Sequence, residues 1–220
     1  MLSPEVISNY TAILKDELRA AMGCTEPIAI AYAASILTDV LGGPADAIAV
    51  GLSGNIIKNV KSVVVPATGG MHGIESAVAA GVIANDYHKK LEVLSVLGES
   101  DIEKIVAYKE TCKMSLFELN SQCSFDLHLT GNRGDNSAEV RITDHHTNVV
   151  KVTLNGISLI DKYGDAPSAK GADEFSKMRR EGLLNVRDIV TFAEEVDLEE
   201  LRPYLEKQIE LNMTIAEEAP

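Results

Sequence analysis

The sequence predicts an α+β protein, a helical lobe carrying an inserted antiparallel β-sheet of about four strands. Three observations predict it. Apolar residues recur at helical spacing up to about residue 90, at a spacing of two between Lys113 and Asp161, and again at helical spacing beyond Val186. The expected division is a helical lobe at 1–90 and 162–220 with an α+β insertion at 91–161, all within one unit spanning 1–220.

Ser3 can cap a helix opened by Pro4, and Val6, Ile7, Tyr10, Ile13, Leu14, Leu18 and Ala21 keep its period until Gly23 stops it. Thr25 is the predicted N-cap of the next helix, with Glu26 and Pro27 in its first turn and Gly42-Gly43-Pro44 at its end. Ile48, Val50 and Leu52 alternate with small residues as in a strand. Ser53 to Asn59 is a turn or short helix, and Val63 to Val65 is extended. Ala67 to Gly73 is a glycine-rich loop before a small-residue helix from Ile74 to Ala84. Ser100-Asp101-Ile102-Glu103 matches a capping box that starts a helix reaching about Thr111.

Four strands follow, carried by Phe125 to Leu129, Ala138 to Ile142, Val150 to Leu154 and Ile157 to Leu159, the last two joined by an Asn155-Gly156 turn. Tyr163 to Gly171 is a linker, and two capped helices close the chain at Val186 to Glu195 and Leu198 to about Ile215.

Composition removes several function classes. The 220 residues carry 33 Asp and Glu against 20 Lys and Arg, a formal charge of −13, with no basic and aromatic cluster that could track a phosphate backbone, so no nucleic-acid partner is expected. With 45% apolar residues the chain can build a core. The run Ile28 to Leu41 is too short to cross a bilayer and is interrupted by Ser35, Thr38 and Asp39, so no membrane partner is expected. The N-terminus shows no export signal, and the expected location is the cytoplasm. Three cysteines are too few for a disulfide framework and direct attention to thiol or metal chemistry.

Among them Cys24 is the sharpest candidate, because a helix start lowers a thiol's pKa and a thiolate is both nucleophile and soft metal ligand. Cys112 and Cys123 form no metal-binding spacing and read as structural. Thr68-Gly69-Gly70 offers backbone donors before a helix, suited to a carboxylate or phosphate, and His72 and Lys58 are the nearby groups that could move a proton or neutralise an anion. Asp144-His145-His146 reads as a solvated bend, since metal binding there would need a third ligand. The dinucleotide fingerprint, the Walker lysine and the HExxH motif are missing.

Three blocks stand in order: Gly23-Cys24-Thr25-Glu26-Pro27, Ser53 to Asn59, and Val65-Pro66-Ala67-Thr68-Gly69-Gly70. With His146-Thr147-Asn148-Val149-Val150 and the closing Leu211 to Glu218, they resemble the L-cysteine desulfidase family, also called UPF0597, which is related to the alpha chains of iron–sulfur L-serine dehydratases. The resemblance covers essentially the whole chain. It implies a 4Fe–4S cluster held by three cysteines, with one iron open to substrate as a Lewis acid. It further implies β-elimination, from L-cysteine to pyruvate, ammonia and sulfide or from L-serine to pyruvate and ammonia.

On this resemblance Cys24 is a cluster ligand. Asn55 and Lys58 would bind the carboxylate of a small amino-acid substrate, Thr68, Gly69 and Gly70 would donate amides to it, and His72 or Lys58 would serve as acid or base. Family members run to about twice this length, and their other two ligand cysteines lie in a C-terminal half. The chain therefore looks like an N-terminal half, expected to be inactive and without cluster on its own, and to need that half or a companion chain. Apolar faces at Ile28 to Leu41 and Leu198 to Ile215, left open by a missing half, would make it associate, most simply as a homo-oligomer. Two other readings are a non-catalytic small-molecule-binding or interaction module that keeps the fold, and a thiol enzyme using Cys24 as nucleophile.

Overall fold

Ser3 accepts a hydrogen bond from the Val6 amide at 3.3 Å and Pro4 takes the first helical position, so helix α1 runs Pro4–Glu17. The computed structural model describes residues 1–18, 23–164 and 184–218. Ala21 of the first predicted helix and the part of the expected linker from residue 165 lie outside the described residues. The chain divides into two compact units, residues 1–20 with 167–220 and residues 21–166.

In the first unit α1 is joined by α7 (Val186–Glu195) and α8 (Leu198–Glu218). Asn185 caps α7 by accepting the Asp188 amide at 3.0 Å, and Asp197 accepts the Glu199 amide at 3.0 Å where α8 starts. Tyr10, Phe192 and Leu201 form a small core, with the two rings edge to face at 5.4 Å between centroids. Phe192 faces inward from α7, while Val186, Ile189 and Val190 recur at helical spacing on an exposed stripe of the same helix.

The second unit is built on a six-stranded sheet. Four strands match the expected ones: β3 (Asp126–Arg133), β4 (Asn136–Thr143), β5 (Val149–Leu154) and β6 (Ile157–Ser158), successive neighbours being antiparallel. Asn155 and Gly156 turn between the last two with φ of 51° and 80°, as a tight hairpin requires. Two further strands, β1 (Ala47–Leu52) and β2 (Lys113–Glu118), extend the sheet in the order β2-β1-β3-β4-β5-β6.

The sheet is thus larger than expected and mixed, because β1 pairs parallel with β2 and antiparallel with β3. The second unit also runs from residue 21 to 166, where an insertion limited to 91–161 was expected. Alternation marks a segment as a strand but carries no record of its neighbours in space, so β1 is legible as a strand and its central place is not.

Helix α2 (Thr25–Leu41) lies against the inner face of the sheet, and fourteen of its seventeen residues are buried within this unit. That corrects the expectation that Ile28 to Leu41 waits for a covering half: β3 and β4 already pack on it, and Leu127, Leu129, Val140 and Ile142 share its buried core. Helix α4 (Ile74–Ala84) packs on α2 at backbone distance, since a Cβ on Gly81 would stand 2.1 Å from the Ala31 carbonyl oxygen.

Helices α3 (Gly54–Val60) and α5 (Glu99–Thr111) and a short α6 (Ile160–Tyr163) complete the unit, with a kinked 3-10 stretch at Tyr87–Val96. The start of α5 differs from the expected box at Ser100. The cap is Gly98, whose amide donates to Asp101 Oδ2 at 3.1 Å, because the carboxylate three residues on lies in reach of it. No helix among the described residues is long and apolar enough to cross a membrane.

Candidate functional site around Cys24

Cys24, not Thr25, occupies the N-cap of α2, and Thr25 is the first helical residue. The shift follows from side-chain bonding: Cys24 Sγ donates to Glu26 Oε2 at 3.1 Å, and Thr25 Oγ1 contacts the same oxygen at 3.4 Å. The other oxygen, Oε1, accepts from Asn59 Nδ2 at 3.1 Å. Glu26 therefore ties the start of α2 to the end of α3. Gly23 lies against Pro66, whose Cγ is 3.4 Å from where a Cβ would stand, so all three sequence blocks meet here.

Burial raises the Cys24 thiol above its ordinary value, and donation to the Glu26 carboxylate raises it further; the Glu26 amide pulls the other way and is outweighed. The expected depressed thiol is thereby corrected, because a carboxylate beside the sulfur opposes the helix start. Burial also pushes Glu26 upward. Hydrogen bonds from Cys24, its own amide and Asn59, with His146 nearby, hold it below the usual carboxylate range. His146 packs its ring on Phe125 at 4.5 Å between centroids; burial lowers its pKa, Glu26 opposes this and His145 adds to it.

Of this group only Cys24 was singled out from sequence. Glu26 reads as a favourable charge at a helix start, and His146 stands in the Asp144-His145-His146 bend and in the block from His146 to Val150. The arrangement can hold a thiol in place and take up the hydrogen that the sulfur gives when it binds a soft metal or an electrophile.

The other expected residues lie at two further places. Thr68 is buried, donates from Oγ1 to the Val65 carbonyl at 2.7 Å and accepts from the Met71 amide at 3.2 Å, so its side chain shapes the loop. Gly69 and Gly70 are exposed, with φ of 68° and 88°. His72 is exposed; its backbone bridges to Val64, and its carbonyl accepts from Ser76 Oγ at 2.8 Å. Lys58 and Asn55 are exposed three positions apart on α3, hence on one face. Asn55 lines an open cleft of about 630 Å³ with Ser53, Glu118, Asn120, Gln122 and Cys123. Neither Lys58 nor His72 joins the hydrogen-bonded group of Cys24, Glu26 and Asn59.

Comparison with known proteins decides the kinship. A UPF0597 protein of Desulfitobacterium hafniense is 42% identical over 207 residues, 94% of this chain and 47% of the relative. One from Finegoldia magna is 42% identical over 216 residues, covering 96% and 49%, and one from Treponema denticola is 37% identical over 209 residues, covering 95% and 47%. The chain belongs to the UPF0597 family. It spans about half the length of the curated UPF0597 relatives it matches. No family model and no solved structure matches it.

The cluster that the UPF0597 resemblance implies needs several cysteine thiolates at one place. Cys112 is buried beside Tyr108, and Cys123 lines the cleft. No group of three or more His, Cys, Asp or Glu among the described residues could hold a metal ion. Cys24, half-buried at a helix start, suits a single ligand position, and the described residues do not by themselves fit a cluster.

Proposed function

We propose that the chain is the N-terminal part of an iron–sulfur-dependent cytoplasmic lyase that performs β-elimination on L-cysteine or L-serine, and that it is inactive alone. One observation carries this reading. The family-like blocks converge on Cys24, with Gly23 against Pro66 and Glu26 bonded to both Cys24 and Asn59. In this reading the chain supplies one cysteine ligand, and a C-terminal half or companion chain supplies two. Asn55 and Lys58, neighbours on one face of α3, bind the substrate carboxylate, with amide donors from Thr68, Gly69 and Gly70. His72 and Lys58 serve proton transfer.

The test is anaerobic release of sulfide and pyruvate from L-cysteine, and of pyruvate from L-serine, by the chain with and without the remaining half of a UPF0597 relative. Release that requires both halves, and falls in Lys58→Met and His72→Gln, supports the reading. Release by this chain alone, or none from the pair, counts against it. A second reading, a non-catalytic small-molecule-binding module, is favoured by the lack of a three-ligand group among the described residues. It predicts ligand binding without turnover even when both halves are present.

A further inference from the structure

We propose that the cleft where β1 passes into α3 seats the ammonium group of an amino acid, with Glu118 as its counter-ion. This deepens the lyase reading and rests on it for the identity of the ligand as an α-amino acid.

The cleft has fixed walls. On one side, the Ser53 amide donates to the Asp126 carbonyl at 2.9 Å, and Ser53 Oγ donates to the Ser124 carbonyl at 3.0 Å. On the other, Ser121 Oγ donates to Asp126 Oδ2 at 2.6 Å. Asp126 is fully buried and receives Arg141 in a fork, Nε at 3.0 Å and Nη2 at 2.7 Å. The loop from Leu119 to Ser124 is thus held at Ser121 by the buried Asp126 carboxylate and at Ser124 by Ser53, and a ligand would meet a partly preorganised surface.

Glu118 is the charge of this cleft. Its Oε1 lies 2.6 Å from where a Cβ on Gly54 would stand, so any larger residue at 54 would displace the carboxylate. Glu118 forms no ion pair among the described residues, and Arg141 is already bound to Asp126. The side chains of Asn55, Asn120 and Gln122 around it likewise make no hydrogen bond among the described residues.

A carboxylate flanked by unpaired amides offers acceptors for the three donors of a primary ammonium, whereas a simple anion would meet a like charge. The cleft, at about 630 Å³, is in the range that holds small molecules. It also has a route to the cysteine: Asn55 lies one turn from Asn59 on α3, and Asn59 holds Glu26, which holds Cys24.

The experiment is amide-shift titration of the full isotopically labelled 220-residue chain with L-serine, ethanolamine and lactate. L-serine and ethanolamine should shift the amides of Gly54, Asn55 and Glu118 to Ser124, and lactate, which lacks the ammonium, should not. Glu118→Gln and Glu118→Ala should each weaken both amines by roughly tenfold or more, with amides outside the cleft unmoved. Lactate binding as tightly as L-serine, unchanged affinity in both variants, or no cleft shift with either amine would overturn the proposal. Turnover by the two halves together reads the lyase assignment separately, so the two can fail independently.

Discussion

The thiol of Cys24 donates to the Glu26 carboxylate at 3.1 Å, across the first turn of the helix that the cysteine caps. Burial first, and then that bond, hold the Cys24 thiol above its ordinary value and restrain it until something with a stronger claim on sulfur arrives.

Glu26→Gln keeps the size of the side chain and removes its charge. The Cys24 thiol should then titrate at lower pH, and alkylation by iodoacetamide, followed at the Cys24 peptide by mass spectrometry, should speed up near neutral pH. Asn59→Ala should act in the opposite direction on Glu26, raising its pKa by removing a donor. An unchanged Cys24 rate profile in Glu26→Gln would contradict the geometry.

The Asp126–Arg141 fork should matter to stability. The Arg141 side chain is 41% exposed and that of Asp126 is 0% exposed, so after discounting for solvent screening, Asp126→Asn should cost about 2 kcal/mol. Arg141 holds Asp126 below the usual carboxylate range against the effect of burial. A lowered folded-state value stabilises above the ordinary unfolded value and is lost as pH falls through the lowered one. Urea midpoints of wild type and Asp126→Asn should therefore differ at neutral pH and converge in acid. A deficit that grows on acidification would contradict the assignment.

Gly81→Ala should destabilise by about 1–3 kcal/mol, because the added methyl meets the Ala31 backbone and not a side chain that can swing aside. Ile36→Ala, at 0% exposure inside the same packed layer, should cost about 2–5 kcal/mol. Denaturant midpoints measure both.

Residues Val186, Ile189 and Val190 are 78%, 48% and 52% exposed on one stripe of α7. The chain should self-associate through that stripe, and Val190→Lys should lower its mass by light scattering. Equal masses for the two proteins would remove the stripe as the cause.

Much of this was legible in residue spacing. Pro4, Gly42 and the Asn155-Gly156 turn set element limits by local stereochemistry, which short stretches of sequence carry in full. The position of β1 between β2 and β3 was not, because pairing partners 66 or more positions apart leave no local mark. The site divided the same way. Cys24 stood out through its place at a helix start, whereas Glu26, Asn59 and His146 acquire meaning only when α2, α3 and the turn before β5 come together. Thr68 reads as a backbone amide donor, and what its spacing does not show is that its hydroxyl shapes the same loop by bonding the Val65 carbonyl and the Met71 amide.

The most direct test of the central claim, that Cys24 is one of several cysteine ligands whose partners lie outside this chain, is anaerobic reconstitution with iron and sulfide. Visible absorption and bound iron would be measured for the chain alone, for the chain with the remaining half of a UPF0597 relative, and for Cys24→Ala with that half. The account predicts a brown cluster only in the second sample. A cluster that forms equally well in the Cys24→Ala pair would contradict it.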